Sequence, residues 1–149
     1  MKSLLIDSNV LVFSLVETCR ENPIARSRLD SLLSQGLDFA VCPQVIHESY
    51  SVLTRRYEIA PEQADEWLSQ VLQREEIEFL EPGFSETRLA LELAARKGLK
   101  GLAFYDACLA ALIMNMRIDG ILTDNVKDFE RLGIGVKPMR DGKSGMAST

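Results

Sequence analysis

The sequence predicts an α/β domain built around a central, mainly parallel β-sheet. Short apolar runs of strand length recur along the chain, and longer segments with helical periodicity separate them. Glycine, proline, asparagine and aspartate mark many of the boundaries between these segments. Regular alternation of strands and helices favours parallel pairing, because a helix supplies the crossover that two parallel neighbours need.

The first half of the chain predicts two strands and four helices. Residues 3–6 form a short apolar strand, and a helix begins after residues 7–9, which favour helix N-caps. The Asn22-Pro23 pair predicts a break before the next helix, and Gly36 predicts its end. The remaining predictions here are a helix over 24–35, a strand over 39–42 that ends at Pro43, a helix over 44–57 and a helix over 62–74 after Pro61.

The second half predicts three strands and three helices. Residues 77–80 form a strand that the Glu81-Pro82-Gly83 turn ends. The remaining predictions are a helix over 85–97, a turn over 98–101, an apolar helix around Asp106, a strand over 120–123, a short helix and a final strand near Val136.

The composition fits one globular domain of 149 residues, since 46% of them are hydrophobic and 26% are charged. We expect residues 1–140 to form this domain and the small, polar residues 141–149 to form a flexible tail. No apolar stretch is long enough to cross a bilayer, and no signal-like region precedes Asp7, so we expect a cytoplasmic protein without membrane contact. Three cysteines without metal-ligand spacing predict reduced thiols, and the single histidine argues against zinc.

The formal net charge of −5 argues against a protein that coats nucleic acid with a broad basic surface. It does not argue against a nuclease, because part of the acidity would belong to a cation site that is neutralised when cations bind. Basic residues such as Arg55 and Arg56 could flank such a cleft.

Acidic residues recur directly behind separate apolar segments. Asp106 lies inside residues 102–114, where the other twelve residues are all apolar or aromatic, so we expect it at a buried position. Asp7 follows the strand 3–6, and Asp124 and Asp128 follow the strand 120–123. Because ligands bind at the carboxyl ends of parallel strands, this recurrence predicts a Mg²⁺ or Mn²⁺ site suited to phosphodiester hydrolysis.

Each of these acids also has a purely structural interpretation. Asp7 and Asp106 could be helix N-caps, and Asp124 and Asp128 could be ordinary turn residues. Glu48 is the weakest candidate, because it lies opposite an apolar stripe with helical spacing and would then be solvated. That stripe consists of Ile46, Tyr50, Leu53 and Tyr57. Each interpretation explains one residue, and none explains the recurrence.

The order of short motifs resembles the PIN domain family, and most closely its VapC-type toxins. The motifs span nearly the whole chain: Leu5-Ile-Asp-Ser-Asn9, Gln44-Val-Ile-His-Glu48, Ser51-Val-Leu-Thr-Arg55, Tyr105-Asp-Ala107 and Leu122-Thr-Asp-Asn-Val-Lys-Asp-Phe129. The resemblance implies a three-layer α/β/α sandwich, a Mg²⁺ or Mn²⁺ site and cleavage of single-stranded RNA. It also implies a cognate antitoxin and a homodimer.

The resemblance assigns a role to each matching position. Asp7 and Asp106 would be the principal metal ligands, and Glu48 would hold a metal-bound water or a second ion. Asn9 and Thr123 would orient these acids through hydrogen bonds.

The fourth acidic position departs from the family pattern. Asn125 occupies it, with Asp124 before it and Asp128 after it. Either aspartate could compensate for it. Because Asn125 supplies only a neutral carbonyl oxygen, we expect one ion to bind firmly and a second only weakly or with substrate phosphate present.

Other functions make different demands on the sequence. A catalytically silent PIN-like module that binds RNA or protein would not need Asp7 and Asp106, and both are present. A phosphoaccepting receiver domain would need an aspartate after the middle strand, where Cys42-Pro43 stands, and an Asp-x-Asp phosphatase would need an acid at Asn9. We therefore expect a metal-dependent endoribonuclease.

Overall fold

The computed structural model describes residues 1–140, which fold around one five-stranded sheet in which every pair of neighbouring strands is parallel. The strand order is β3-β2-β1-β4-β5. The strands are β1 Ser3–Ile6, β2 Asp38–Val41, β3 Ile77–Phe79, β4 Gly120–Thr123 and β5 Val136–Pro138. The predicted α/β class and all five strands are confirmed.

Seven α-helices of the described chain connect or flank these strands. They are α1 Ser8–Leu15, α2 Asn22–Ser34, α3 Pro43–Arg55, α4 Pro61–Leu72, α5 Phe84–Lys97, α6 Phe104–Asn115 and α7 Val126–Glu130, with a short 3₁₀ helix at Gly101–Ala103. Helices α1 to α4 contact one another, whereas α5, α6 and α7 form a second group. The crossovers from β1 to β2 and from β2 to β3 run one way along the sheet, and those from β3 to β4 and from β4 to β5 run the other way. Because such crossovers are right-handed, the two groups of helices lie on opposite faces of the sheet. The result is the three-layer sandwich that the resemblance implied.

The start of α2 was predicted wrongly. Asn22 and Pro23 do not break the chain but form the first turn of the helix, where proline is tolerated because the first amides have no partner inside the helix. The side chain of Asn22 also donates to the carbonyl oxygens of Phe13 and Ser14, at 2.8 and 3.2 Å. It thereby satisfies the end of α1 while opening α2.

The buried face of α3 also differs from the prediction. Val45, Ser49 and Leu53 are buried, whereas Tyr50 is 40% exposed. Both stripes have helical spacing, and the choice between them depends on how α1 and α4 pack against α3. Glu48 therefore lies at the edge of the buried face of α3 and not on the opposite side of the helix.

Two glycines allow β4 and β5 to pair closely. A Cβ atom on Gly120 would lie 2.6 Å from the carbonyl oxygen of Gly135, and one on Gly135 would lie 2.3 Å from that of Asp119. The amide of Ile121 donates to the carbonyl of Gly135 at 3.0 Å. Larger residues at either glycine would push β5 away from the sheet.

Three other sequence predictions concern the cysteines, membrane-spanning segments and the chain end. Cys19, Cys42 and Cys108 are free thiols, as predicted. No helix within residues 1–140 is long and apolar enough to span a membrane. The predicted tail over 141–149 lies outside the described residues.

Candidate active site

The predicted acids gather where the strand order changes direction. Strands β2 and β3 lie on one side of β1, while β4 and β5 lie on the other. Helices that follow β1 and β4 therefore diverge to opposite faces and leave a crevice at the carboxyl ends of these two strands. Asp7 lies at the end of β1, and its amide donates to the carbonyl of Leu122 in β4 at 2.9 Å. The acids thus occupy the position where this class of sheet usually binds ligands.

Asp7 is a buried carboxylate held from two sides. Its Oδ2 atom accepts a 2.7 Å hydrogen bond from the hydroxyl of Thr123, and its Oδ1 atom accepts a 2.8 Å bond from the amide of Ser8. The oxygen of Thr123 in turn accepts the amide of Asn125 at 2.9 Å. This chain of bonds fixes the Asp7 carboxylate and connects it to the turn after β4.

Asn9 and Asp124 form a second connection to that turn. The amide of Asp124 donates to Oδ1 of Asn9 at 3.3 Å. The carboxylate of Asp124 accepts bonds from the guanidinium of Arg140 at 3.0 and 3.4 Å. The side chain of Asp124 therefore serves this ion pair, whereas Asn125 lines the cavity beside Asp7.

Glu48 reaches the same cavity from α3. Its Oε1 atom accepts a 2.8 Å bond from Gln44, one helical turn earlier, and the same amide group donates to the carbonyl of Tyr105 at 3.0 Å. The hydroxyl of Ser8 lies 3.5 Å from the other carboxylate oxygen. Gln44 therefore fixes Glu48 and at the same time ties α3 to the residue before Asp106.

Asp106 lies in the first turn of α6 and is half-buried. Asp106 is less buried than the sequence predicted, because its apolar neighbours Leu102 and Tyr105 are themselves 84% and 51% exposed. Only the later part of α6, from Ala107 onward, enters the core. Asp106 consequently faces an open cavity with the apolar core behind it.

Negative charge accumulates in this cavity without full compensation. Burial raises the pKa of Asp7 to about 6; the bonds from Thr123 and Ser8 oppose this shift, and the charges of Glu48 and Asp106 add to it. Burial also raises the pKa of Asp106 to about 6, Asp128 and Glu48 add to it, and Arg131 opposes it. Carboxylates with raised pKa values in one cleft are typical of functional sites.

The cavity has a volume of about 170 Å³. Its walls include Asp7, Asn9, Glu48, Asp106 and Asn125, which are five of the eight predicted site residues. Two larger cavities contain none of the eight: one of about 480 Å³ lies between α1, α2, α4 and the sheet, and one of about 590 Å³ lies between α3 and α4. Thr123 supports the smaller cavity through Asp7, and Asp128 acts on it through its charge.

The family model for the PIN domain matches residues 4–135 of this chain. The chain belongs to the PIN domain family. No curated protein sequence matches it.

Several solved structures share its fold. VapC20 of Mycobacterium tuberculosis, a toxin that cleaves the sarcin-ricin loop, is 13% identical with a TM-score of 0.69, and the match covers 89% of this chain and 96% of that one. VapBC2 of Rickettsia felis, bound to a promoter DNA fragment, is 19% identical with a TM-score of 0.68 over 91% and 98% of the two chains. DNA-bound VapBC of Salmonella typhimurium is 18% identical, with a TM-score of 0.68 over 93% and 99%.

The sequence did not assign Gln44 to this PIN domain site, and it gave Arg56 only as one of several basic residues that could flank a cleft. Gln44 stands four residues before Glu48, and Arg56 stands eight residues after it, so both share its face of α3. That spacing was a usable signal once the buried face of α3 was known. Arg56 lines the acidic cavity together with its neighbour Tyr57.

Among residues 1–140, no three acidic, histidine or cysteine side chains converge closely enough to hold an ion between them. The acids of this PIN domain instead line a cavity from the end of β1, from α3 and from α6.

Proposed function

We propose that this PIN domain protein is a metal-dependent endoribonuclease that cleaves single-stranded RNA in the cytoplasm, as the toxin of a toxin-antitoxin pair. The observation that carries the proposal is the shared cavity of Asp7, Glu48 and Asp106 at the topological switch of the sheet. Two of these three carboxyls, Asp7 and Asp106, have raised pKa values because they are buried, and nearby like charges add to the shift. Binding of a cation would relieve the repulsion between these carboxylates, and an anionic substrate could then bind together with the cation.

The donor set fits Mg²⁺ or Mn²⁺. Both ions prefer oxygen ligands, and Mg²⁺ usually keeps several waters while bound through one or two carboxylates and a substrate phosphate. Asp7 and Asp106 would hold the ion, with Asn125 offering a neutral oxygen beside them. When bound, the ion would activate water for attack and neutralise charge on the phosphate.

The remaining residues of the site hold and orient the carboxylates and the turn that carries Asn125. Thr123 and the amide of Ser8 keep Asp7 in one orientation, so that little reorganisation is needed when substrate arrives. Glu48, which Gln44 holds by a hydrogen bond, would accept a hydrogen bond and then a proton from the attacking water. Asn9 anchors the turn that carries Asn125.

An antitoxin partner is part of the same proposal. The structures from Rickettsia felis and Salmonella typhimurium are toxin-antitoxin complexes, and the present fold covers nearly all of each matched chain. We infer that a cognate antitoxin binds this protein and suppresses cleavage. Co-expression with a small protein encoded by a neighbouring gene should yield a stable complex without nuclease activity.

A catalytically silent PIN-like module that binds RNA or protein is the competing function. It would have no use for carboxylates kept at raised pKa in a shared cavity, since that arrangement costs stability. The presence of both Asp7 and Asp106 therefore favours the enzyme.

Cleavage of single-stranded RNA tests the proposal. The purified protein should cut RNA with Mg²⁺ or Mn²⁺ and stop in EDTA. Asp7→Asn and Asp106→Asn should each abolish cleavage with the circular dichroism spectrum unchanged, because charge is lost at nearly constant volume. Glu92→Gln on the exposed side of α5 is the matched control for charge removal. Undiminished cleavage by both aspartate variants would overturn the assignment.

A further inference from the structure

The acidic cavity has a second wall of opposite character. Glu48 and Val52 of α3 and Arg56, the C-cap residue of that helix, follow one another at intervals of four residues, and all three line the cavity. At a rise of about 1.5 Å per residue, the backbone positions of Glu48 and Arg56 are about 12 Å apart. The helix therefore presents a carboxylate at one end of the cavity and a guanidinium at the other.

Arg56 is not engaged by any acid of the described chain. Its guanidinium takes part in none of the ion pairs within residues 1–140, which join Arg26 to Glu17, Arg74 to Glu76 and Arg140 to Asp124. It lies instead over the ring of Tyr57, 5.7 Å from the ring centre. An exposed guanidinium on an aromatic ring, beside a cluster of acids that it does not neutralise, is free to pair with an anion from outside.

Aromatic rings complete this wall. Tyr57 and Phe13 both line the cavity and are only partly buried, with their inner edges against the core. Single-stranded RNA is bound largely through cations on its phosphates and through bases that stack on aromatic or guanidinium planes. The wall offers both kinds of contact within reach of the acids.

We propose that Arg56 and Tyr57 form a substrate subsite, in which Arg56 binds a phosphate that flanks the scissile one and Tyr57 stacks against the adjoining base. The proposal rests on the nuclease function above. It explains how an acidic protein can hold a polyanion: the strand is anchored away from the carboxylates, and its next phosphate is delivered to them. The subsite distinguishes a single strand from a duplex, because only an unpaired base can turn onto the ring.

Binding of a short, fluorescein-labelled, single-stranded RNA of mixed sequence tests this subsite. Fluorescence anisotropy is measured on the full chain carrying Asp106→Asn, in EDTA, so that neither cleavage nor metal contributes. Adding Arg56→Gln should weaken binding about tenfold and reduce the slope of log affinity against log salt by about 0.7, the value for one phosphate contact on a single strand. Arg55→Gln is the matched control, because Arg55 is the exposed neighbour outside the cavity.

The ring is tested separately. Tyr57→Leu should weaken binding about tenfold through lost stacking, and Tyr57→Phe, which keeps the ring, should bind more tightly than Tyr57→Leu. In the cleavage-competent protein, Arg56→Gln should raise KM more than it lowers kcat. Equal affinities and salt slopes for the Arg56→Gln and Arg55→Gln proteins would overturn the subsite.

The two proposals can fail independently. A wild-type protein that cuts RNA, but whose KM is unchanged by Arg56→Gln and Tyr57→Leu, would refute the subsite and leave the nuclease standing. A wild-type protein that neither binds nor cuts RNA would refute both.

Discussion

Thr123 donates a 2.7 Å hydrogen bond to Asp7 across the gap between β4 and β1. The two residues are 116 positions apart in the chain. The same hydroxyl oxygen accepts the amide of Asn125, so a single side chain links the central carboxylate to the turn that lines the cavity. This bond also opposes the raised pKa of Asp7.

Removing the Thr123 hydroxyl should therefore damage both stability and activity. Thr123→Val leaves the buried carboxylate oxygen and the Asn125 amide without their partner, which should lower the free energy of unfolding by about 1–3 kcal/mol. RNA cleavage should fall because Asp7 is no longer held in one orientation. Thr123→Ser keeps the hydroxyl and is the control; urea unfolding and cleavage rates measure both effects. Equal behaviour of the valine and serine variants would contradict this role.

The stability of the metal-free protein should depend on Asp106 and on pH. A folded-state pKa raised from 3.8 to about 6 means that the folded protein disfavours the charged carboxylate. The protonated Asp106 carboxyl therefore contributes its full stability below the unfolded-state pKa, and this stability is lost as pH rises through about 6. Asp106→Asn should stabilise the protein at neutral pH by about 1 kcal/mol, after discounting for solvent screening at this half-exposed position.

The pH dependence of the stability gain from Asp106→Asn distinguishes a charge effect from a gain that has another cause. Thermal unfolding in EDTA should show the Asp106→Asn gain at about pH 7.5 and its disappearance near pH 4. Glu92→Gln is again the matched control. A gain of the same size at both pH values would show that the carboxylate charge is not its cause.

Asp124, in the turn after β4, and Asp128, in α7, should have different effects on cleavage. Asp128 adds to the raised pKa of Asp106, whereas the carboxylate of Asp124 is paired with Arg140. We expect Asp128→Ala to reduce RNA cleavage strongly and Asp124→Ala to reduce it less. Calorimetric titration with Mn²⁺ should show one firm site, because Asn125 provides no charge. Two tight sites, or a larger defect in Asp124→Ala, would contradict this assignment.

Much of this arrangement follows from the sequence, and the exceptions have physical reasons. Apolar strands followed by acids identify Asp7 and its neighbours, because the ends of parallel strands meet at one edge of a sheet. Periodicity alone could not choose between two stripes on α3, since both fit 3.6 residues per turn. The contribution of Gln44 depends on which stripe is buried, so it became visible only in the folded structure. Arg56 was expected near a cleft, but the choice between Arg55 and Arg56 depends on the same stripe. The ligand roles of Asp7, Glu48 and Asp106 stay predictions.

We expect a homodimer in solution. Several large apolar side chains on the α5–α6 side of the sheet are exposed, including Phe84 at 79% and Leu91 at 57%. A monomer rarely leaves so many uncovered in one layer, and twofold dimers are the commonest assembly of such chains. Light scattering at micromolar concentration should give the dimer mass, and Leu91→Glu should shift it toward the monomer. A wild-type protein of monomer mass only would contradict the prediction.

Ser49 offers a stability test away from the cavity. Its hydroxyl is buried in α3 and has no hydrogen-bond partner among the described residues. Ser49→Ala should raise the free energy of unfolding by about 1 kcal/mol, because an unsatisfied polar atom is removed with little change in volume. Ser51→Ala, at an exposed position of the same helix, controls for the higher helix propensity of alanine. Equal gains from the two variants would assign the effect to propensity alone.

The distance in sequence between Asp7 and Thr123 has a consequence for synthesis. Chains emerge from the ribosome with their N-terminal part first. A nascent chain that has reached the end of α5 contains Asp7 and Glu48 but neither Asp106 nor the strand that carries Thr123. If the protein is the proposed ribonuclease, a chain that ends at α5 lacks part of the site and is inactive. Cleavage activity then arises only after β4 and β5 have been synthesised and have joined the sheet. An inhibitor needs to be present at release from the ribosome and not before.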